Sequence, residues 1–156
     1  DYIAELKRTT KFGDFCLKGV AERVAFATSQ PGWAAGVLTY GLYEDQYLKM
    51  ELCGIAGVLP MLNTDTPDKG QVIATWQQPD GTFALPEELG GGTTDIVTLE
   101  DDKPEAFVHL PSNSYGVLVV GKSVTTGRGI PEYAQPVKVA DTLYDSMDYL
   151  INLLTD

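Results

Sequence analysis

Tyr115-Gly116-Val117-Leu118-Val119-Val120-Gly121-Lys122-Ser123 is the most apolar run in the second half of the chain. It admits two incompatible readings. From Gly116 onward it satisfies G-x-x-x-x-G-K-S, the pattern of a phosphate-binding P-loop. A P-loop is a glycine-rich turn between a strand and a helix, whose backbone N–H groups surround phosphates. Here the variable positions are Val117, Leu118, Val119 and Val120, which favour extended backbone. Val124-Thr125-Thr126-Gly127 follows Lys122-Ser123, so no helix starts where a P-loop needs one. Ser112-Asn113-Ser114 stands where the preceding strand should be. The stretch is therefore read as a sheet strand.

On its C-terminal side, Thr125-Thr126-Gly127-Arg128-Gly129 is a loop, and Pro131 and Pro136 introduce a last helix. Val137, Ala140, Tyr144, Met147, Ile151 and Leu154 alternate spacings of three and four, with Leu143 and Leu150 broadening the face. Asp141, Asp145 and Asp148 fall on the solvent side. On the N-terminal side, Ala106 to Leu110 and Thr93 to Leu99 read as strands. The polar turn Glu100-Asp101-Asp102-Lys103-Pro104 separates them.

Farther back, Phe83 to Leu89, interrupted by Pro86, reads as a loop or one helical turn. Pro79-Asp80-Gly81 is a turn in which Pro fixes φ and Gly permits a positive φ. Gln71 to Gln77 reads as a short strand and Pro60 to Gly70 as a loop. Trp33 to Leu42 and Tyr47 to Val58 read as a hairpin across Tyr43-Glu44-Asp45-Gln46, since Leu48, Met50 and Leu52 alternate with Tyr47, Lys49 and Glu51. Tyr2 to Thr28 reads as helical, with Cys16, Val20, Val24 and Ala27 on one stripe, ending at Gln30-Pro31-Gly32.

The expected fold is α+β. It has a mainly antiparallel sheet of about five to six strands, with N- and C-terminal helices packed on one face. The 156 residues suit one domain, residues 1–156.

Acidic residues outnumber basic ones 22 to 11, for a net charge of −11. That surface repels nucleic-acid phosphates and anionic lipid heads. No run approaches the roughly 18 apolar residues of a membrane span. The expectation is therefore no nucleic-acid partner and no membrane insertion within this chain. The chain starts at Asp1 rather than Met, so the lack of a leader leaves the compartment open.

Cys16 and Cys53 are candidates for one disulfide, which the sequence alone does not decide. Neither has C-x-x-C spacing, and His109 has no local metal partner, so no metal site is expected. A nucleophilic role for either cysteine with His109 has no sequence support. Gly90-Gly91-Gly92-Thr93-Thr94-Asp95 echoes a phosphate motif of actin-type ATPases. It follows Pro86-Glu87-Glu88-Leu89 rather than an apolar strand ending in Asp, and is read as a glycine-rich loop entering a strand.

The layout resembles GAF-type domains of the PAS/GAF/profilin-like group. A leading helix (Phe15 to Ala27) runs into Ala35-Gly36-Val37-Leu38-Thr39-Tyr40. An irregular middle precedes Gly116-Val117-Leu118-Val119-Val120-Gly121, and a closing helix (Val139 to Leu154) ends the chain. The resemblance implies small-molecule binding, or dimerisation through the terminal helices. It implies no bilin attachment, because Cys53 is followed by Gly54 and Cys16 by Leu17 rather than by His.

The function expected is a non-catalytic small-molecule-binding or protein-interaction domain with no cofactor. Its pocket would lie between the sheet and the middle segment Pro60 to Gly92, with Trp76, Thr93, Thr94 and Tyr115 as wall residues. A structural or assembly subunit, such as a processed surface or filament protein, is the alternative. An enzyme lacks a complete constellation.

Overall fold

The computed structural model describes residues 19–119 and 132–155. Its elements begin with α1 (Val20–Ser29), β1 (Val37–Tyr40), α2 (Tyr43–Leu52), β2 (Met61–Thr64) and α3 (Lys69–Ala74). The short strands β3 (Phe83–Ala84) and β4 (Thr93–Thr94) flank a 3₁₀ turn, Glu87–Leu89. Next come β5 (Val97–Asp101), a second 3₁₀ turn (Pro104–Phe107), β6 (Ser114–Val119), β7 (Val137–Ala140) and α4 (Leu143–Thr155).

The α+β class stands, but the single antiparallel sheet does not. Among the described residues there are three small sheets, ordered β1-β2, β3-β4 and β5-β6-β7. Only β3-β4 is antiparallel; β1-β2, β5-β6 and β6-β7 are all parallel.

The first cause is the segment after Leu42. The expected second arm of a hairpin is instead helix α2, which carries the chain back so that β2 pairs parallel to β1. Glu44 and Asp45 lie in its first turn, where carboxylates favour the positive end of the helix dipole. Tyr43 and Tyr47, one turn apart, stack with ring centroids 6.0 Å apart. Met50 and Leu52 are its buried residues.

Other assignments shift for similar reasons. Residues 71–74, expected in a strand, belong to α3, whose cap is Asp68; its carboxylate accepts the Gln71 N–H at 3.2 Å. The expected strand Ala106 to Leu110 begins as a 3₁₀ turn with Pro104 in its first positions. β2 lies within the expected loop Pro60 to Gly70. The start of the expected last helix, residues 137–140, is strand β7. The helix begins after Thr142, whose hydroxyl accepts the Asp145 N–H at 3.2 Å.

The opening stretch is β6 up to Val119. Its remainder, including Gly121, Lys122 and Ser123, lies outside the described residues, as do Cys16 and the chain before Gly19. β6 is the central strand of its sheet, and all but Tyr115 of its residues are buried.

The two faces of β6 organise two cores. Leu118 packs with Ile73, Phe83, Leu99, Ala106, Phe107 and Leu110. Val117 and Val119 pack with Ala140, Leu143 and Leu150, joined by Val20 and Trp33. Helices α1 and α4 contact each other, and their residues cover the second face. α3 and the 104–107 turn supply residues to the first. The sheet is thus covered on both faces rather than one, as parallel strands require.

Candidate functional site

Among the described residues β1 and β5 are each unpaired along one edge, and no ladder joins them. A cavity of about 540 Å³ runs beside both, bordered by residues 32–38 and 94–100. That volume is typical of small-ligand pockets, which span roughly 300–1,000 Å³.

Buried side chains form its floor: Ala27, Ile73, Leu99, Val117 and Leu150. Gly32, Ala34, Gly36, Asp95, Ile96 and Thr98 are exposed and form its rim. Half-buried Leu38, Trp76, Leu85 and Leu89 form one wall, with Trp33 on the α1 side. Trp33 is held edge-on to Phe26, ring centroids 5.6 Å apart. Both tryptophans of the chain therefore border the cavity.

The polar contribution is an ion pair. Arg23 Nε donates to Glu100 Oε2 at 2.9 Å, and Arg23 Nη2 lies 2.9 Å from the same oxygen. Arg23 comes from α1 and Glu100 from the face of β5 that α1 and α4 cover, so the pair ties the helix to the sheet edge. Glu100 Oε1 is occluded and has no hydrogen-bond partner among the described residues.

Of the expected wall residues, Trp76 and Thr94 border this cavity. Thr93 is exposed in β4 and Tyr115 lies opposite Thr98 in the β5-β6 register; neither borders it. The middle segment supplies Ile73, Trp76, Leu85 and Leu89. The residues the cavity draws from 32–38 and α1 had no counterpart in the sequence reading of the pocket. Arg23 and Glu100 carried no local signal, since they are 77 positions apart. The alternation of Thr98 and Glu100 against Val97 and Leu99 was the one available hint that Glu100 belongs to a strand.

No protein-family model, curated protein or solved structure matches this chain.

Two further polar groupings lie elsewhere. His109 Nδ1 faces Asp68 Oδ2 at 2.5 Å, and Lys69 pairs with the buried Asp101. Asp101 also accepts the Lys103 N–H at 2.9 Å. His109 is more than half exposed, with a side-chain accessibility of 58%. These pairs join α3 to β5 and to the chain after the 104–107 turn. Among the described residues no group of three or more His, Cys, Asp or Glu is placed to hold a metal ion. No helix among them is long and apolar enough to cross a membrane.

At the C-terminal ends of β1 and β2 lies a shallow depression bordered by Tyr40, Gly41, Leu42, Asn63, Thr64 and Asp65. Asn63 Nδ2 donates to Gly41 O at 2.9 Å, while its Oδ1 is buried with no partner among the described residues.

The glycine-rich run departs from a phosphate cradle in its own bonding. Gly90, Gly91 and Gly92 all have positive φ, of 102°, 65° and 83°. The Gly90 and Gly91 N–H groups bond back to Glu87 O and Pro86 O, both at 2.9 Å. Two of the amides such a motif would turn toward phosphate therefore close their own turn.

Cys53 caps the C-terminus of α2 and is disulfide-bonded. Cys16, the other cysteine, lies outside the described residues.

Proposed function

We propose that this chain is a non-catalytic binding domain whose site is the cavity between β1 and β5. The observation that carries the reading is the cavity itself. It has an apolar floor, a rim of Gly, Ala, Asp, Ile and Thr, two indole rings and one internally neutralised ion pair. Apolar surface left uncovered in this way has unfavourable contact with water, and an occupant would relieve it at about 25 cal/mol per Å². The pairing of Arg23 with Glu100 offsets charge at the wall, which favours neutral apolar groups in the interior.

The test uses the indole N–H resonances of Trp33 and Trp76. Titration with benzyl alcohol is expected to shift both resonances saturably. Ala35→Leu, which enlarges a half-buried wall residue, is expected to weaken that response severalfold. Resonances that stay fixed up to the solubility limit of the probe would overturn the reading.

A second reading, assembly, is favoured by a different observation. Leu42 is 70% exposed, beside Tyr40 at 49% and Tyr43 at 53%. Light scattering across a concentration series tests it: a constant monomer mass would count against assembly.

A further inference from the structure

We infer that the occupant of this cavity is an extended basic peptide segment, added as a strand between β1 and β5. The inference rests on the binding reading above.

The first support is main-chain geometry. In a parallel ladder, successive residues offer their N–H and C=O groups to opposite sides. Val37 N–H bonds Pro60 O at 2.8 Å, on the β2 side, and Val97 N–H bonds Asn113 O at 3.3 Å, on the β6 side. Leu38 on β1, and Thr98 and Glu100 on β5, therefore present their main-chain groups to the unpaired edges. Ala34, Ala35 and Gly36 make no backbone hydrogen bond to another described residue. Unpaired edges of this kind are templates for another strand, and strand addition is an established mode of peptide recognition.

The second support is that the cavity has sockets on both faces of the sheet. Ile73 and Leu99 belong to one core, Val117 and Leu150 to the other, and all four border the cavity. A compact ligand needs one face. A strand sends alternate side chains to both.

The third is that neither edge carries a Lys or a Pro. Exposed strand edges are usually blunted by Lys or Pro. Residues 32–38 and 94–100 contain neither.

The charge around the mouth selects the peptide. Asp95 is exposed on the rim, and Glu87 and Glu88 are exposed in the turn that carries Leu89 into the wall. On a chain of net charge −11, that mouth attracts a cationic segment.

The experiment uses the full chain and an array of N-acetylated hexapeptides. Val, Leu, Ile, Phe, Tyr or Thr fills the four central positions, which face the apolar sockets, and Lys the two ends, which reach the acidic mouth; six extended residues span roughly 20 Å. Binding is read from the Trp33 and Trp76 indole resonances. The best binder is then remade with its alternate backbone amides N-methylated. The expected result is at least tenfold weaker binding by the methylated peptide. The unmethylated peptide is also expected to slow amide exchange at Leu38, Thr98 and Glu100. Equal binding by the two peptides would overturn strand addition, as would binding without that protection. An array with no binder, alongside a saturable response to benzyl alcohol, would overturn strand addition while the binding cavity stands. Silence to both peptides and benzyl alcohol would overturn the cavity reading as well.

Discussion

Arg23 Nε donates to Glu100 Oε2 while Arg23 Nη2 lies 2.9 Å from the same oxygen, and the pair fastens α1 to the edge of β5 across 77 positions of sequence. The two side chains are only 15% and 19% accessible. Removing the guanidinium would leave a mostly buried carboxylate without its counter-charge, which costs more than the intact pair contributes. Arg23→Met is expected to lower stability by about 1–2 kcal/mol, after allowance for residual solvent screening. The double variant Arg23→Met/Glu100→Leu is expected to recover most of that loss. Urea denaturation with a constant slope checks both, and a double variant no better than the single one would contradict the account.

Gly70 is the tightest backbone approach on the opposite face. A Cβ there would meet Leu110 N at 2.7 Å, His109 C at 2.9 Å and Ala106 O at 3.0 Å. All three are main-chain atoms, so no side-chain rotation relieves the clash. The site is in α3, where Ala would otherwise gain up to about 1 kcal/mol over Gly from helix propensity. Overpacking opposes this at roughly 1–3 kcal/mol. Gly70→Ala is thus expected to destabilise, reversing the sign that propensity alone gives. A rise in the thermal midpoint would refute the close packing of α3 on residues 106–110.

What the sequence made legible follows from how local each signal is. β6 was legible because three consecutive apolar residues with two β-branched Val among them, 117–119, suit only a strand covered on both faces. α2 was misread because Leu48, Met50 and Leu52 fit a period of two. The opposing signals were present: no β-branched residue occurs in 43–52, and acids occupy the first turn. The capping pair Asp68 and Gln71 likewise announced α3. Reading 43–52 as a strand puts an antiparallel hairpin where the chain makes a parallel crossover, and so changes the whole sheet. Trp76 and Thr94 could be singled out by residue type and neighbourhood. The Arg23–Glu100 pair could not, because its partners meet only after the sheet edge and α1 have been brought together.

Cys53 is disulfide-bonded at the end of α2, and the chain holds one other cysteine, Cys16. An intramolecular Cys16–Cys53 bond is therefore expected. Peptide mapping without reductant should recover the two cysteine peptides joined, in a monomeric chain. Reduction is expected to cost about 2–4 kcal/mol of stability, the usual range for a cross-link closing a loop of this kind. Recovery of the two peptides separately, or joined only in a covalent dimer, would exclude the internal pair.

Alkaline pH acts through Tyr133. Its hydroxyl donates to Pro104 O at 2.9 Å, and its ring meets Phe107 edge-on, with centroids 6.0 Å apart. Burial raises its pKa above the ordinary tyrosine value, and the carboxylate of Glu105 raises it further. Burial raises Tyr149 as well, with Tyr115 adding to the effect. A raised folded-state pKa means that the neutral phenol is favoured in the fold. Its contribution is complete below the unfolded value of about 10 and is lost as pH rises through the higher folded value. Stability is therefore expected to fall above about pH 10. Tyr133→Phe should cost about 0.5–1.5 kcal/mol near neutrality through the lost hydrogen bond, and should flatten the alkaline fall. Urea midpoints measured for both proteins across that pH range decide the point, and parallel curves would show that Tyr133 is not the titrating group.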